Sequence, residues 1–502
     1  MMRNKLFFLV LLIVQSCFLT AQKAPKREFR GVWMHTIGQG QYRNMGTEEL
    51  KQYLIDALDF FSDLNMNAVV FQVRPQADAF YESKLEPWSR YLTGEQGRAP
   101  YPHFDPMAFM IEECHKRGME FHAWLNPYRV TSAEGQELSR SHVYHQHPEW
   151  FVKYGAQIYF DPGIPACRRF INKVVRDIVT RYDVDAIHMD DYFYPYPIAG
   201  APFPDNNSFY DYGNEFYPDR KTDWRRNNVN LLIEELKTTI VSTKPWVRFG
   251  ISPFGIYRNK KSDPAGSQTN GLQNYDDLYA DIKLWVEKGW IDYNIPQIYW
   301  EIGHKAADYE TLIKWWNDNN YGAHLYIGQD VVRTMKAADL NRPSRNQLTR
   351  KMELERMLPH VHGNCWWPGY EVWKDTGGIL DSLFYNYQKY PALIPAYTHM
   401  HKRNPKEVKG LTAEWNGTQY ELSWQANSDR NDPESAQYFV IYRFPKRGKK
   451  SLSDPSKIVA VTPETSYRLP YRDGNNNYRY VVTSVDRFHN ESRKGKMKKV
   501  KL

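Results

Sequence analysis

Between Phe29 and about Tyr390, short apolar and β-branched runs alternate with longer stretches in which apolar positions recur at helical spacing. Eight runs read as strands: Arg30–Thr36, Ala68–Arg74, Glu120–Asn126, Ala186–Asp190, Arg248–Ser252, Tyr293–Tyr299, Ala323–Ile327 and Asn364–Pro368. The segments between them read as amphipathic helices. Thr47–Leu64 opens on Thr47 with Glu48 and Glu49 in its first turn, and Asp105–Arg117 is closed by Gly118. Strands joined by helical crossovers run parallel, and eight of them predict an α/β architecture closed into a (β/α)8 TIM barrel. A doubly wound open sheet is the alternative. It gives no reason for the strand count to stop at eight, and no glycine-rich phosphate loop follows any strand.

After Pro391 the pattern becomes all-β. Pro391, Pro395 and the polar stretch from Thr398 to Lys409 read as a linker, so the chain divides into a barrel over 27–390, a linker over 391–407 and a β domain over 408–502. The runs Tyr420–Trp424, Tyr438–Phe444 and Tyr478–Asp486 resemble a fibronectin type III domain, with Trp424 as the core tryptophan of an early strand. That resemblance implies a spacer or docking module with its own core. A chain ending near Met400 is therefore expected to fold.

At the other end, Arg3 and Lys5 precede the apolar run Leu6–Val14, which predicts an export signal over 1–21 and a periplasmic or extracellular protein. The run is too short to span a bilayer. A competing reading lipidates Cys17, and membrane attachment is expected only in that case. Cys114, Cys167 and Cys365 form neither a disulfide framework nor a metal-ligand spacing, so free buried thiols are expected.

The 42% hydrophobic and 25% charged residues exclude wholesale disorder and a multi-span membrane protein. Much of the small surplus behind the net charge of +8 sits at Arg493, Lys494, Lys496, Lys498 and Lys499, where lysines protect an edge strand. No basic and aromatic interleaving predicts a nucleic-acid partner. The 16 Trp and 36 Tyr exceed what a core needs, and such rings suit a sugar-binding cleft.

Barrel enzymes build their sites at the C-terminal ends of the strands. The candidates there are His35, Gln72, Arg74, Asn126, Tyr128, His188, Asp190, Asp191, Ser252, Gln297, Tyr299, Trp300, Glu301, Trp366, Trp367 and Glu371, with Tyr192 and Tyr194 just beyond the fourth strand. Two carboxyls, hydroxyl-binding amides and aromatic walls are what glycoside hydrolysis requires. Strand alternation turns His188 and Asp190 into the barrel mouth, and the adjacent Asp191 is costly unless one carboxyl is protonated, paired or used. Asp190 is read as the group that attacks or orients the anomeric centre, Asp191 as its neighbour in charge, and Glu301 as the proton donor. Arg74 divides between an ion pair and a two-pronged grip on a substrate carboxylate, such as the free lactyl group of muramic acid in peptide-free peptidoglycan strands. The pairs His145/His147 and His399/His401 lack Cys or acidic partners, so neither metal nor cofactor is expected.

Several motifs also stand in a familiar order: Glu28-Phe29-Arg30-Gly31-Val32-Trp33, Phe71-Gln72-Val73-Arg74-Pro75, Ala123-Trp124-Leu125-Asn126-Pro127-Tyr128, Phe160-Asp161-Pro162-Gly163, Asp190-Asp191-Tyr192-Phe193-Tyr194-Pro195 and Pro296-Gln297-Ile298-Tyr299-Trp300. From about Arg27 to Tyr390 the chain resembles the glycosyl-hydrolase-like family ten. The resemblance implies a barrel related to the α-amylase-like enzymes, exported by bacteria and acting on glycans, cell-wall polysaccharide among them. The α-amylase pattern has an Arg where His188 stands and an acid on the fifth strand, which Phe249–Phe254 lacks. Two rivals to a polysaccharide hydrolase therefore stay open: a glycan-binding barrel without turnover, and a deacetylase or esterase, for which no Gly-x-Ser-x-Gly elbow is present. The pattern leaves the oligomeric state open.

Overall fold

The computed structural model describes residues 24–502 apart from Ser428, Arg430, Arg472, Asp473 and Lys494, so the export signal and Cys17 lie outside the described residues. Eight parallel strands close into a barrel in chain order: Phe29–Met34, Ala68–Arg74, Glu120–Leu125, Ala186–Met189, Arg248–Ile251, Tyr293–Asn294, His324–Asp330 and Val361–Trp367. They are called first to eighth below. The sixth is much shorter than its apolar run. Pro296 has no N–H to give the ladder, and pairing resumes only as isolated bridges from Gln297 to Phe254 and Gly328.

Helices pack around the barrel as their spacing requires. Thr47–Asp63 buries Leu50, Leu54, Leu58 and Phe61 on one stripe, and Pro106–Lys116 is capped by Asp105, whose carboxylate accepts from Ala108 N at 2.9 Å. A hairpin, Phe151–Tyr154 with Gln157–Phe160, is inserted after the third strand and was not legible as strands. Cys114, Cys167 and Cys365 are free and buried. Among the described residues no helix is long and apolar enough to cross a membrane.

The barrel interior is a packed core of Phe29, Ala68, Val70, Ala186, Tyr293 and Tyr326, with Glu120, His122 and Arg248 buried among them. Gly250 on the fifth strand makes room for one of these rings, because a Cβ there would lie 2.0 Å from Tyr293 Cε2.

The stretch 391–407 differs from the expected polar linker. Leu393, Ile394 and Tyr397 are apolar enough to be drawn under the barrel floor, where Tyr397 is fully buried and its hydroxyl lies 2.8 Å from that of Tyr326. Beyond it, a three-stranded sheet (Lys409–Trp415, Tyr420–Gln425, Ser466–Leu469) faces a four-stranded one (Tyr438–Pro445, Ile458–Thr462, Asn477–Val485, Lys496–Lys501) across a core containing Trp424, Phe439 and Val482. This small β domain has its own core and is nonetheless fastened to the barrel. His489 Nε2 reaches Glu120 Oε1 at 2.5 Å, Arg487 pairs with Asp183 at 3.0 Å, Phe488 joins the main core, and Glu491 binds Lys26. These contacts run against the expectation of a barrel indifferent to its neighbour. The reason is that the floor carries buried polar groups which the β domain covers and satisfies.

Candidate functional site

The C-terminal end of the barrel opens into a cavity of about 390 Å³. Its walls are aromatic: Trp33 meets Tyr299 edge-on with centroids 6.5 Å apart, Trp124 meets Trp367 at 6.1 Å, and Phe254 meets Trp300 at 5.4 Å. Such rings present flat apolar faces with N–H and O–H tips, the surface an amphipathic sugar ring requires. The fourth strand ends at Met189, and the chain there places both Asp190 and Asp191 on the cavity wall, each 3% exposed.

Neutral donors hold both carboxyls. Asp190 accepts from Trp124 Nε1 and Asn126 Nδ2, each at 3.1 Å. Asp191 accepts from Gln297 Nε2 at 3.1 Å and from the Tyr196 hydroxyl. Among the described residues no cation forms an ion pair with either of them; Arg129 lowers both only from a distance, its guanidinium lying over the Tyr192 ring at 4.9 Å. Burial, and then the Asp191 charge, push Asp190 up to about 7, while burial raises Asp191 as well. Near neutrality the pair can therefore keep a proton that an ordinary carboxylate has lost. That arrangement can supply an acid and a base at one point, beside aromatic walls.

The family model for Glycosyl hydrolase-like 10 matches residues 28–344, which span the first seven strands and both carboxyls. The chain belongs to this family. Glycosyl hydrolase YngK from Bacillus subtilis (strain 168) is 41% identical over 507 residues, covering 97% of each chain. Glycosyl hydrolase DigH from Escherichia coli (strain K12) is 41% identical over 361 residues, covering 66% of this chain and 81% of that one. Among solved structures, the glycoside hydrolase domain of PgaB (BpsB) from Bordetella bronchiseptica aligns with a TM-score of 0.47 at 11% identity, over 72% of this chain and 99% of that one. By its family the protein is a glycosyl-hydrolase-like barrel.

In this Glycosyl hydrolase-like 10 barrel, ten of the residues singled out from the sequence line the cavity: His35, Gln72, Asp190, Asp191, Tyr192, Ser252, Gln297, Tyr299, Trp300 and Trp367. His35 packs on Trp367 with centroids 4.6 Å apart, and burial lowers its pKa to about 4. Gln72 is fully buried, and its Oε1 accepts from the backbone N of Thr36 and of Ile37, each at 3.0 Å, so it shapes the loop after the first strand.

Others lie elsewhere. Arg74 is fully enclosed and bound to Glu86 through Nε at 2.8 Å and Nη2 at 2.5 Å, with Nη1 on Pro127 O at 3.1 Å. Its fork is already filled, so the two-pronged grip on a substrate is corrected to an internal ion pair. Glu301 is likewise off the cavity wall: the chain turns after Trp300, and its charge falls on the buried Lys351 rather than on the pair. Glu371, on the short helix Gly369–Trp373, accepts from the Thr376 hydroxyl. Tyr128 and Tyr194 are buried outside the barrel wall, Tyr194 beneath the Arg225 guanidinium at 5.5 Å. Asn126 and His188 stand behind the cavity, the first holding Asp190 and the second under Ser252, with Nε2 to Oγ at 2.9 Å.

Trp33, Trp124, Arg129, Tyr196, Phe254 and Arg333 also line the cavity and were not singled out. Trp33 and Trp124 lie two residues before His35 and Asn126, on the same inward face, so strand alternation carried one step further back reaches them. Arg333 follows the seventh strand, which contributes none of the candidates read from the sequence.

Proposed function

We propose that the chain is a glycoside hydrolase that cleaves a polysaccharide, with Asp190 and Asp191 as its two working carboxyls. The observation that carries this reading is the buried pair itself: two acids in an aromatic cavity, held by neutral donors alone, with Asp190 lifted to about 7. Asp190 is the more readily protonated and gives its proton to the glycosidic oxygen. Asp191, held as the anion by Tyr196 and Gln297, faces the positive charge that develops at the anomeric carbon. Glu301 then has no part in proton transfer.

Outside the cytoplasm is where we expect it to act, on the strength of Arg3, Lys5 and the run Leu6–Val14. Peptide-free peptidoglycan strands fit the cavity's charge, because Arg129 and the exposed Arg333 line it and muramic acid offers a free carboxylate.

The test is incubation with a panel of bacterial cell-wall and dietary glycans, with products read by mass spectrometry. New reducing ends are expected from the parent, and Asp190→Asn and Asp191→Asn should each lower turnover by about 10²–10⁴-fold while glycan binding persists. Binding by the parent without any cleavage would establish the glycan-binding rival instead.

A further inference from the structure

Beneath the cavity a chain of buried polar side chains runs down the barrel axis. Ser252 Oγ lies 2.9 Å from His188 Nε2, His188 Nδ1 is 3.1 Å from the Tyr293 hydroxyl, and that hydroxyl is 2.8 Å from His122 Nδ1. His122 Nε2 is 2.9 Å from Glu120 Oε2. At the floor, Glu120 Oε1 accepts from Arg248 Nη2 and His489 Nε2. Each of these residues is at least 95% buried, and Gly250 leaves the gap in which the Tyr293 ring sits.

Hydrogen bookkeeping along the chain has one solution. Arg248 is always a cation and keeps Glu120 an anion, so Glu120 only accepts and His122 Nε2 must carry a hydrogen. Burial holds His122 neutral, with its pKa lowered to about 4, so its Nδ1 is bare and accepts the Tyr293 proton. Tyr293 has no second proton, so it accepts from His188 Nδ1–H. Burial, and then His122, also keep His188 neutral, which leaves its Nε2 bare. The upper end demands the same answer independently. Trp33 Nε1–H can only donate, and it points at His188 Nε2 from 3.3 Å.

We propose that Glu120 is a positioning residue for the cavity: through Tyr293 it fixes His188 as the Nδ1–H tautomer, so that Ser252 commits its proton inward and meets the substrate only as a hydrogen-bond acceptor. A ligand group at that point on the cavity wall must then be a donor, as a sugar hydroxyl is and a carboxylate or ether oxygen is not. Ser252 is thereby assigned as a specificity-determining residue that reads a hydroxyl. This second half rests on the glycan reading; the tautomer does not.

The experiment is nitrogen NMR on the full chain labelled with 15N-histidine, His188 being assigned from the resonances lost in His188→Asn. At pH 7 the parent should show one neutral form of His188, Nδ1 protonated and Nε2 bare, and a protonated Nε2 would overturn the proposal. Glu120→Gln also strips Arg248 of its partner and risks the fold, so Tyr293→Phe, made together with Trp33→Phe to remove the indole donor that also favours a bare Nε2, is the decisive variant. It should populate the second His188 tautomer, whereas an unchanged single tautomer would show that Glu120 does not govern it. Ser252→Ala should raise KM about tenfold with kcat within about threefold, the loss of one hydrogen bond to a neutral group. No change in KM would remove Ser252 from recognition. A parent that neither cuts nor binds any glycan would overturn the glycan reading and the role of Ser252 with it, leaving the tautomer result to stand by itself.

Discussion

The two ends of the barrel treat the same chemical group in opposite ways. At the floor, Glu28, Glu120, Asp185 and Asp292 sit at or just before the starts of the first, third, fourth and sixth strands, and each is nearly or fully buried. Every one has a basic partner: Glu28 has Arg30 and Arg356 at 2.8 Å, Asp185 has His115 at 2.8 Å, Asp292 has Lys237 at 2.6 Å, and Glu120 has Arg248. Burial alone would raise Glu28, Asp185 and Asp292, but these partners hold all three below the usual carboxylate range. At the mouth, Asp190 and Asp191 are as deeply buried and receive only amide, indole and phenol donors, so burial wins and both rise. Within one barrel the partner's charge, rather than depth, separates a structural anion from an acid that can hold a proton.

The sharpest way to break the comparison is to remove the cover from the floor. A chain ending after Met400 loses His489, Arg487 and Phe488, leaving Glu120 and the floor apolar groups open. It is expected to be insoluble or to unfold more than about 10 °C below the parent, as judged by thermal denaturation. A truncated barrel with an unchanged midpoint would mean that the floor needs no cover.

Glu28→Ala strands the buried Arg30 and Arg356, and should cost about 3–5 kcal/mol in urea unfolding at pH 7. Since Glu28 is depressed in the fold, its contribution is present above its unfolded pKa and lost as pH falls through the folded one. The gap between mutant and parent should therefore shrink in acid.

Asp190 has the opposite sign. Its folded pKa is raised, so its favourable contribution is complete below about pH 4 and is lost as pH rises through about 7. Asp190→Asn should gain on the order of 2–4 kcal/mol relative to the parent between pH 4 and pH 8. A difference independent of pH would show that Asp190 is an ordinary anion. The same proton predicts that kcat/KM falls as pH rises above about 7.

The smallest effect is expected at the rim. Arg333 is exposed, and Arg333→Ala should weaken action on peptide-free peptidoglycan strands by only a few-fold, corresponding to about 1 kcal/mol or less, and leave neutral glycans unchanged. An equal loss on both would detach Arg333 from substrate charge.

Much of this was legible in the chain. The eight strands follow from alternating apolar runs, and Asp190, Gln297 and Trp367 follow from the rule that barrels work at their strand ends. What was not legible depended on partners distant in sequence. Nothing in the pattern near Arg74 shows that Glu86 folds back onto it, and nothing near Trp300 shows that the chain turns Glu301 away. The stretch 391–407 looked like a linker because Leu393, Ile394 and Tyr397 are too few to form a periodic element, although they suffice to plug a floor. Fastening of the β domain rests on pairs such as Glu120 with His489, which lie 369 residues apart.

That separation has a consequence for how the protein is made. At synthesis rates of about 5–20 residues per second, Glu120 waits roughly 20–70 s after leaving the ribosome for the histidine that completes its surroundings. A barrel that folded within that interval would have an open floor. A polypeptide released early never closes it. The last β domain thus works as a seal of completeness: a chain cut short anywhere before His489 carries an unfinished floor for the cell's proteases to find.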